Sequence, residues 1–341
     1  MTAQPAELRV GIIGTGNIGT AHAMSLTREV SGARVTCVFD ADQARATAVA
    51  YQVGACVCSS VSALIECPDV DAVLIASPDD LHAEQALACL AAGRPTLLEK
   101  PLAPVLSDAE AVMAAEVALG RRLITLGFMR RFDPAYQQMK AQLDAGVVGE
   151  ALIVRNLHRN TAAPYGLRSV GTLTNSAIHE MDINRWLLGQ DYASVQVILP
   201  KPGPQTPPGE FDPLLVFFTT TSGAVVEIEA FANAWFGYEV ACQVVGSRGQ
   251  LDLGDGSLLI RTDERRRGVD LPELWLGRFG DAYRRELQAW VDCVRGLDDG
   301  QGAATVWDGL AATTAAQAAA RALQSGSPEA IQMPKRPALY Q

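Results

Sequence analysis

Histidine is sparse in this chain, four in 341 residues, and positive charge is outweighed, 28 Lys and Arg against 38 Asp and Glu for a formal net charge of −10. That balance argues against a nucleic-acid or anionic-membrane partner, since both demand a basic face. The one dense basic run, Glu264-Arg-Arg-Arg267, lies beside Gly268 and reads as a solvated loop. No uninterrupted apolar stretch reaches the roughly 20 residues that cross a membrane. The N-terminal residues lack the basic segment and apolar core of a secretion signal, so a cytoplasmic location is expected. His and Cys never fall at ligand spacing and no carboxylates cluster, so no metal is expected. A G-x-S-x-G elbow is also missing, which removes the nucleophilic-serine reading. Seven cysteines form an odd, scattered set. Cys37 and Cys89 sit in apolar stretches, and Cys56-x-Cys58 has neither zinc nor redox spacing, so buried thiols of a reducing compartment are expected.

What is present is apolar and long. A hydrophobic fraction of 48% with 19% charged residues describes a globular protein, and 341 residues suit two domains. From Leu8 to Gly127, short Val/Ile/Leu runs (8–13, 34–39, 55–57, 72–76, 96–98, 123–126) alternate with helical periodicity near 17–29, 42–51, 60–66, 80–92 and 107–119. Strands without polar alternation, separated by helices, imply a parallel sheet covered on both faces. Residues 1–127 are therefore expected to form a doubly wound dinucleotide-binding domain, with ligand at the carboxyl ends of its strands. Beyond Phe128 the pattern changes. A helix at 134–145 precedes strands at 151–159, 193–199, 214–220, 224–232, 238–245 and 257–261, with a hairpin turn at Thr221-Ser-Gly223. A helix at 177–188 interrupts them, a Pro-rich loop occupies 201–213, and helices near 278–296 and 305–324 follow. Residues 128–341 read as an α+β domain with an open, largely antiparallel sheet. Its second face needs a cover, for which another subunit is the simplest candidate.

The most specific motif is Gly14-Thr-Gly16-Asn17-Ile18-Gly19, directly after the first strand. Gly14 permits a tight turn, Gly16 leaves room for a pyrophosphate, and Gly19 lets the helix pack closely on the sheet. Free N–H groups at the helix start would face the phosphates. Asp40, ending the second strand 21 residues after Gly19, can accept hydrogen bonds from both ribose hydroxyls and would repel a 2′-phosphate. Ala41 follows it, not a neutralising base, so the cofactor is read as NAD.

Three clusters carry candidate chemistry. Glu99-Lys100-Pro101 ends the fifth strand at the cofactor edge, where the Lys100 ammonium can stabilise a developing alkoxide. Asn175, His179 and Asp182 have spacings of four and three, so they can share one side of a helix, and a histidine suits alcohol deprotonation near neutrality. The competing readings are an Asn175 or Ser176 helix cap and a hydrogen-bonded core histidine. Asn156, His158 and Asn160 alternate onto one strand face, either a substrate wall or simple solvent exposure. His82, following Ser77 and Pro78, either borders the cofactor or is an exposed first-turn residue, while His22 reads as structural.

These motifs, with Gly127-Phe-Met-Arg-Arg-Phe-Asp133, Gly237-Tyr238 and Arg336-Pro-Ala-Leu-Tyr340, resemble the Gfo/Idh/MocA family of oxidoreductases over nearly the whole chain. The stretches His158-Arg-Asn160 and Ile178-His-Glu-Met-Asp182 are most similar to its inositol dehydrogenase branch. The resemblance implies NAD-dependent oxidation of a cyclitol ring hydroxyl, with myo-inositol oxidised to 2-keto-myo-inositol as the leading case and another sugar or glycoside as the alternative. It implies a catalytic Lys100, a His179 base, and substrate contacts from Met129, Arg130, His158 and Tyr238. It also implies tetramers or dimers formed through the open sheet. One departure stands out: the branch places an aspartate where this chain has Asn175. An amide can orient through hydrogen bonds but supplies no charge to a protonated imidazole, so Asp182 is expected to help, or the substrate to differ.

Overall fold

The computed structural model describes residues 7–163, 166, 168–253, 261–263 and 266–341. Residues 257–260 of one expected strand and 264–265 of the basic run fall outside them, while Arg266 and Arg267, expected in a loop, belong to a short strand, Arg266–Gly268, paired antiparallel with Arg261–Asp263. The chain divides into two compact units. One comprises Met1–Met129, Asp281–Thr313 and Lys335–Gln341, the other Arg130–Gly280 and Thr314–Pro334. The C-terminal third thus contributes to both, where a single boundary after residue 127 was expected. The reason is visible in the core of the first unit, where Leu287, Trp290 and Val291 are buried with Val10, Ile12, Leu26 and Val38. Among the described residues, no helix is long and apolar enough to cross a membrane.

In the first unit, β1 (Leu8–Ile13), α1 (Asn17–Arg28), β2 (Ala33–Phe39), α2 (Gln43–Val53), β3 (Cys56–Val57), α3 (Val61–Ile65), β4 (Ala72–Ile75), α4 (His82–Ala91), β5 (Thr96–Glu99), α5 (Leu106–Leu119) and β6 (Ile124–Gly127) follow in order. Their sheet runs β6-β5-β4-β1-β2-β3, all parallel, with the short strand Ala304–Thr305 antiparallel on β6. The order reverses between β1 and β4, and in such sheets the crevice at that switch point is where a ligand binds. Every residue of β4 and β5 is buried, which explains their unbroken apolar runs.

The second unit holds α6 (Pro134–Asp144), β7 (Ala151–Arg159), a short turn α7 (Ser169–Gly171), α8 (Ile178–Leu188), β8 (Tyr192–Ile198), β9 (Leu214–Thr220), β10 (Val225–Phe231), β11 (Glu239–Gly246) and β12 (Gln250–Asp252). Two long helices, α9 (Trp275–Val294) and α10 (Val306–Ser325), divide between the units. The second sheet runs β12-β11-β7-β10-β9-β8, edged by Glu329–Ala330, and only the β7–β10 pair is parallel. Burial alternates along each strand, so Leu214, Val216 and Phe218 of β9 and Val226 and Ile228 of β10 face the core. β9 and β10 meet at the expected turn, closed by Gly223 N–H donating to the Thr220 carbonyl at 3.0 Å. The strands that periodicity missed are two or three residues long, too short to show an alternation.

Candidate active site

The glycine loop is built as its spacing requires. Gly14 has φ +91°, and a Cβ there would lie 2.4 Å from the Ala76 carbonyl oxygen. A Cβ on Gly19 would come within 2.0 Å of the Gly14 carbonyl oxygen, so α1 approaches the loop as closely as backbone allows. At Gly16 the added atom would meet only Arg45 Nη1, at 3.9 Å. Its bareness therefore serves no internal packing and leaves a space before the α1 N-terminus, which fits a dinucleotide pyrophosphate. Asp40 accepts from Thr15 N–H at 2.7 Å, Thr15 Oγ1 at 2.9 Å and Asp42 N–H at 2.8 Å. Partial burial works to raise its pKa, but these bonds and Arg45 prevail and hold it below the usual carboxylate range. Arg45 Nη1, 3.9 Å from Asp40, is a nearby cation that inspection of the next residue alone had missed.

At the ends of β4 and β5, Ser77 Oγ donates to Gln85 at 2.7 Å, and the following turn Asp79–Leu81 leads into α4. His82 is not the exposed first-turn residue of one reading. It is buried, with Nδ1 2.6 Å from the Pro101 carbonyl and Nε2 3.0 Å from the Ser77 carbonyl. It thus ties the β4 exit to the segment that follows Lys100, and the Lys100–Pro101 peptide is cis. Glu99 is buried, meets His22 Nε2 at 2.8 Å, and receives the Lys100 N–H at 3.2 Å. His22 is structural, as expected, but it acts by holding the strand end that bears Lys100.

The second unit gathers a separate polar cluster on the covered face of its sheet. Asn156, His158 and Asn160 are all buried, so the solvent-exposure reading of this strand face does not hold. Asn156 and His158 find partners there, although Asn156 Oδ1 has none among the described residues. Asn156 Nδ2 donates to the Glu227 carbonyl at 3.0 Å, and His158 Nδ1 lies 2.9 Å from Glu180 Oε2. Arg130 binds the other oxygen of Glu180, and its Nη2 stands 3.3 Å from the same His158 nitrogen. One nitrogen cannot serve both in a neutral ring. The shorter contact is to a carboxylate, so Nδ1 carries the proton to Glu180 and Nε2 keeps a lone pair. Burial works to neutralise Glu180, but Arg130 and His158 hold its pKa below the ordinary value. The His158 ring is 6.4 Å from that of His179 and 6.1 Å, edge-on, from Tyr238. Burial pushes the Tyr238 phenol up to about 12, so it remains a donor near neutrality.

Asn175 and His179 do not lie on one regular helix. Thr172–Ser176 form a π-helical turn, in which Ala177 N–H donates to the Thr172 carbonyl at 2.8 Å. The π-helical turn runs through Asn175 and α8 begins only at Ile178, so the regular 3.6-residue phase does not run unbroken from one residue to the other. Nor does Asn175 or Ser176 cap α8, whose preceding residue is Ala177. Asp182 is buried with Arg131, whose Nε donates to it at 2.9 Å. Met129 is buried at the start of the turn Met129–Phe132.

The description "Oxidoreductase family, NAD-binding Rossmann fold" matches residues 8–128, and "Oxidoreductase family, C-terminal alpha/beta domain" matches 140–331. Inositol 2-dehydrogenase 1 of Saccharopolyspora erythraea is 42% identical over 336 residues, covering 98% of this chain and 99% of that protein. The chain belongs to the Gfo/Idh/MocA oxidoreductase family. Inositol 2-dehydrogenase/D-chiro-inositol 3-dehydrogenase of Shouchella clausii is 40% identical, with 98% and 97% of the two chains covered. Among solved structures, myo-inositol dehydrogenase of Lactobacillus casei in complex with NAD(H) and myo-inositol gives a TM-score of 0.91 at 32% identity, covering 98% of this chain and 100% of that one.

The conformations of Gly14, Gly16 and Gly19 fit the NAD-binding Rossmann fold that the family description gives for residues 8–128. Glu180, Arg131 and Arg45 were overlooked as contributors. A signal for the first two existed, since Arg131 closely follows Gly127-Phe-Met129 and Glu180 lies between Ile178 and Met181, so a charge buried beside such apolar neighbours needs a partner. The cysteines also depart from expectation. Cys37, Cys89 and Cys242 are buried, but Cys58, Cys67 and Cys293 are half-buried and Cys56 is exposed.

Proposed function

We propose that this enzyme oxidises a ring secondary hydroxyl of a cyclitol with NAD, myo-inositol to 2-keto-myo-inositol being the leading reaction. The observation that carries the reading is the polar cluster on the covered sheet face. His158 offers an acceptor nitrogen, Tyr238 a phenol donor and His179 a second imidazole, a set suited to a polyol and wasteful for an apolar ligand. The near full-length likeness to proteins named inositol 2-dehydrogenase supports the same substrate class. In this reading His179 accepts the hydroxyl proton while Lys100 donates a hydrogen bond to the oxygen and stabilises its developing charge. Bound NAD supplies the hydride acceptor. Glu180 holds His158 in the tautomer that presents Nε2, and Arg130 acts behind it through Glu180.

A second reading, a glycoside or sugar as substrate, is favoured by Asn175, because the amide changes what the site can accept from a hydroxyl. The partly exposed face of the second sheet carries Leu215, Phe217 and Phe231 beside the Arg159–Glu229 and Arg159–Glu239 ion pairs. A second copy of the chain is the proposed cover, giving a dimer or tetramer. All seven cysteines are free, which fits a cytoplasmic setting. The test is a set of initial rates with NAD and NADP on myo-inositol, its isomers, glucose and simple glucosides. NADH formation on cyclitols is expected. Activity confined to glucosides would transfer the assignment to the second reading, and tight NAD binding without turnover on any of them would refute both.

A further inference from the structure

Four of the seven cysteines collect at one edge of the first sheet, remote in role from the glycine loop and Lys100. Cys37 lies on β2 and pairs in register with Cys56 on β3. Cys58 follows β3, its N–H donating to the Val38 carbonyl at 2.9 Å, and Cys67 follows α3. Cys37 Sγ and Cys67 Sγ are 3.7 Å apart although 30 residues separate them in sequence. The close pair is therefore not the Cys56-x-Cys58 spacing that draws attention in the sequence. It joins a strand to the turn after a helix. Cys37 is buried and Cys67 half-buried, so one member of the pair is reachable by a small solute and the other is shielded.

We propose that Cys37 and Cys67 are a modification site, a dithiol that a hydroperoxide oxidises reversibly to an intramolecular disulfide. A sulfur–sulfur bond of about 2.0 Å requires a closure within reach of a side-chain rotation. The more accessible Cys67 sulfur attacks one oxygen of hydrogen peroxide. The O–O bond breaks, a sulfenic acid forms and one water leaves. Cys37 sulfur then attacks the sulfenic sulfur, the S–O bond breaks, and the hydroxyl leaves with the thiol proton as a second water. Two electrons from the thiol pair reduce one peroxide to two waters, and an added dithiol reverses the process. Burial pushes the Cys37 thiol up to about 12, with Cys67 and Cys58 adding to the shift, so the second step is slow near neutrality and quickens as pH rises.

The bridge closes a loop that contains Asp40, α2, β3 and α3. Cross-linking restricts the unfolded chain while leaving the paired strands β1, β2 and β3 where they are. The oxidised protein is therefore expected to melt several degrees higher and to bind NAD within about twofold of the reduced form.

The experiment treats the full chain with hydrogen peroxide under native conditions, then blocks free thiols and maps peptides by mass. Expected are a loss of two hydrogens, a Cys37–Cys67 linked peptide, reversal by dithiothreitol, and persistence of the link in Cys56→Ser. Cys67→Ser, a change at a half-buried site, should abolish it, with Cys37→Ser as a second variant. Both thiols remaining open to alkylation after peroxide would overturn the proposal. So would a link mapped to Cys37–Cys58 or Cys56–Cys58, or one found only between molecules.

Discussion

The Gly16 position separates packing from ligand binding within the glycine loop. Its φ of −66° is ordinary for any residue, and the nearest atom to an added Cβ is the end of a flexible side chain at 3.9 Å. Gly16→Ala should therefore leave the unliganded protein as stable as the parent, or more stable by about 0.4–1 kcal/mol through the unfolded chain. The methyl group occupies the space left for the pyrophosphate and displaces it from the α1 N–H groups. Each charge-assisted bond weakened is worth about 1.5–3 kcal/mol, so the NAD dissociation constant should rise roughly 10- to 100-fold. Gly19→Ala is the contrasting control. Its Cβ would lie 2.0 Å from a backbone oxygen, so it should destabilise the protein without ligand, by about 1–3 kcal/mol or more. Fluorescence titration with NAD, together with melting curves with and without it, distinguishes the two. A Gly16→Ala protein that binds NAD within twofold of the parent would refute the cradle assignment.

Lys100→Ala should lower turnover by more than the roughly hundredfold typical of one lost electrostatic group while NAD titrations stay near the parent, and near-normal turnover would remove Lys100 from the chemistry. Asp40→Ser removes the carboxylate that disfavours a 2′-phosphate and leaves Arg45 to receive one, so the NADP-to-NAD ratio of kcat/KM should rise at least about tenfold. Glu180→Gln strips the charge that balances buried Arg130 and should cost about 3–5 kcal/mol at neutral pH, read by denaturant unfolding. The Glu180 pKa is depressed in the folded state, so its contribution is present above the unfolded value of about 4.3 and is lost as pH falls through the lower folded value. Acid titration of stability should show that component in the parent and not in Glu180→Gln.

The strands and helices of residues 8–127 were readable to within about two residues because their signals are local, whereas the return of Asp281–Thr313 to the same unit was not. Leu8–Ile13 and the glycines after it specify strand, turn and helix within twelve positions, and the long strands Ala151–Arg159 and Leu214–Thr220 appeared at their observed bounds. The polar site was legible in its residue types but not in its wiring. His158 was recognised, whereas its partner Glu180 is 22 positions away and Arg130 is 28, a pairing that only the tertiary fold creates. The exposed alternative for His82 fails for a similar reason. A first-turn position suggests exposure, yet the segment after Lys100 returns over it and provides a carbonyl. Asp182 was noted for its helical spacing from His179, while its ion pair with Arg131, from a different element, was not legible in the sequence.

The wide turn at Thr172–Ser176 amounts to a single surplus residue in an otherwise continuous helical path. Because successive helical residues differ by about 100° in direction, deleting one amino acid there would swing the side chains ahead of it by that angle while α8 stayed seated. Evolution of substrate preference in such a scaffold need not wait for point substitutions in the pocket: a one-codon loss or gain upstream of His179 re-aims Asn175 in a single event.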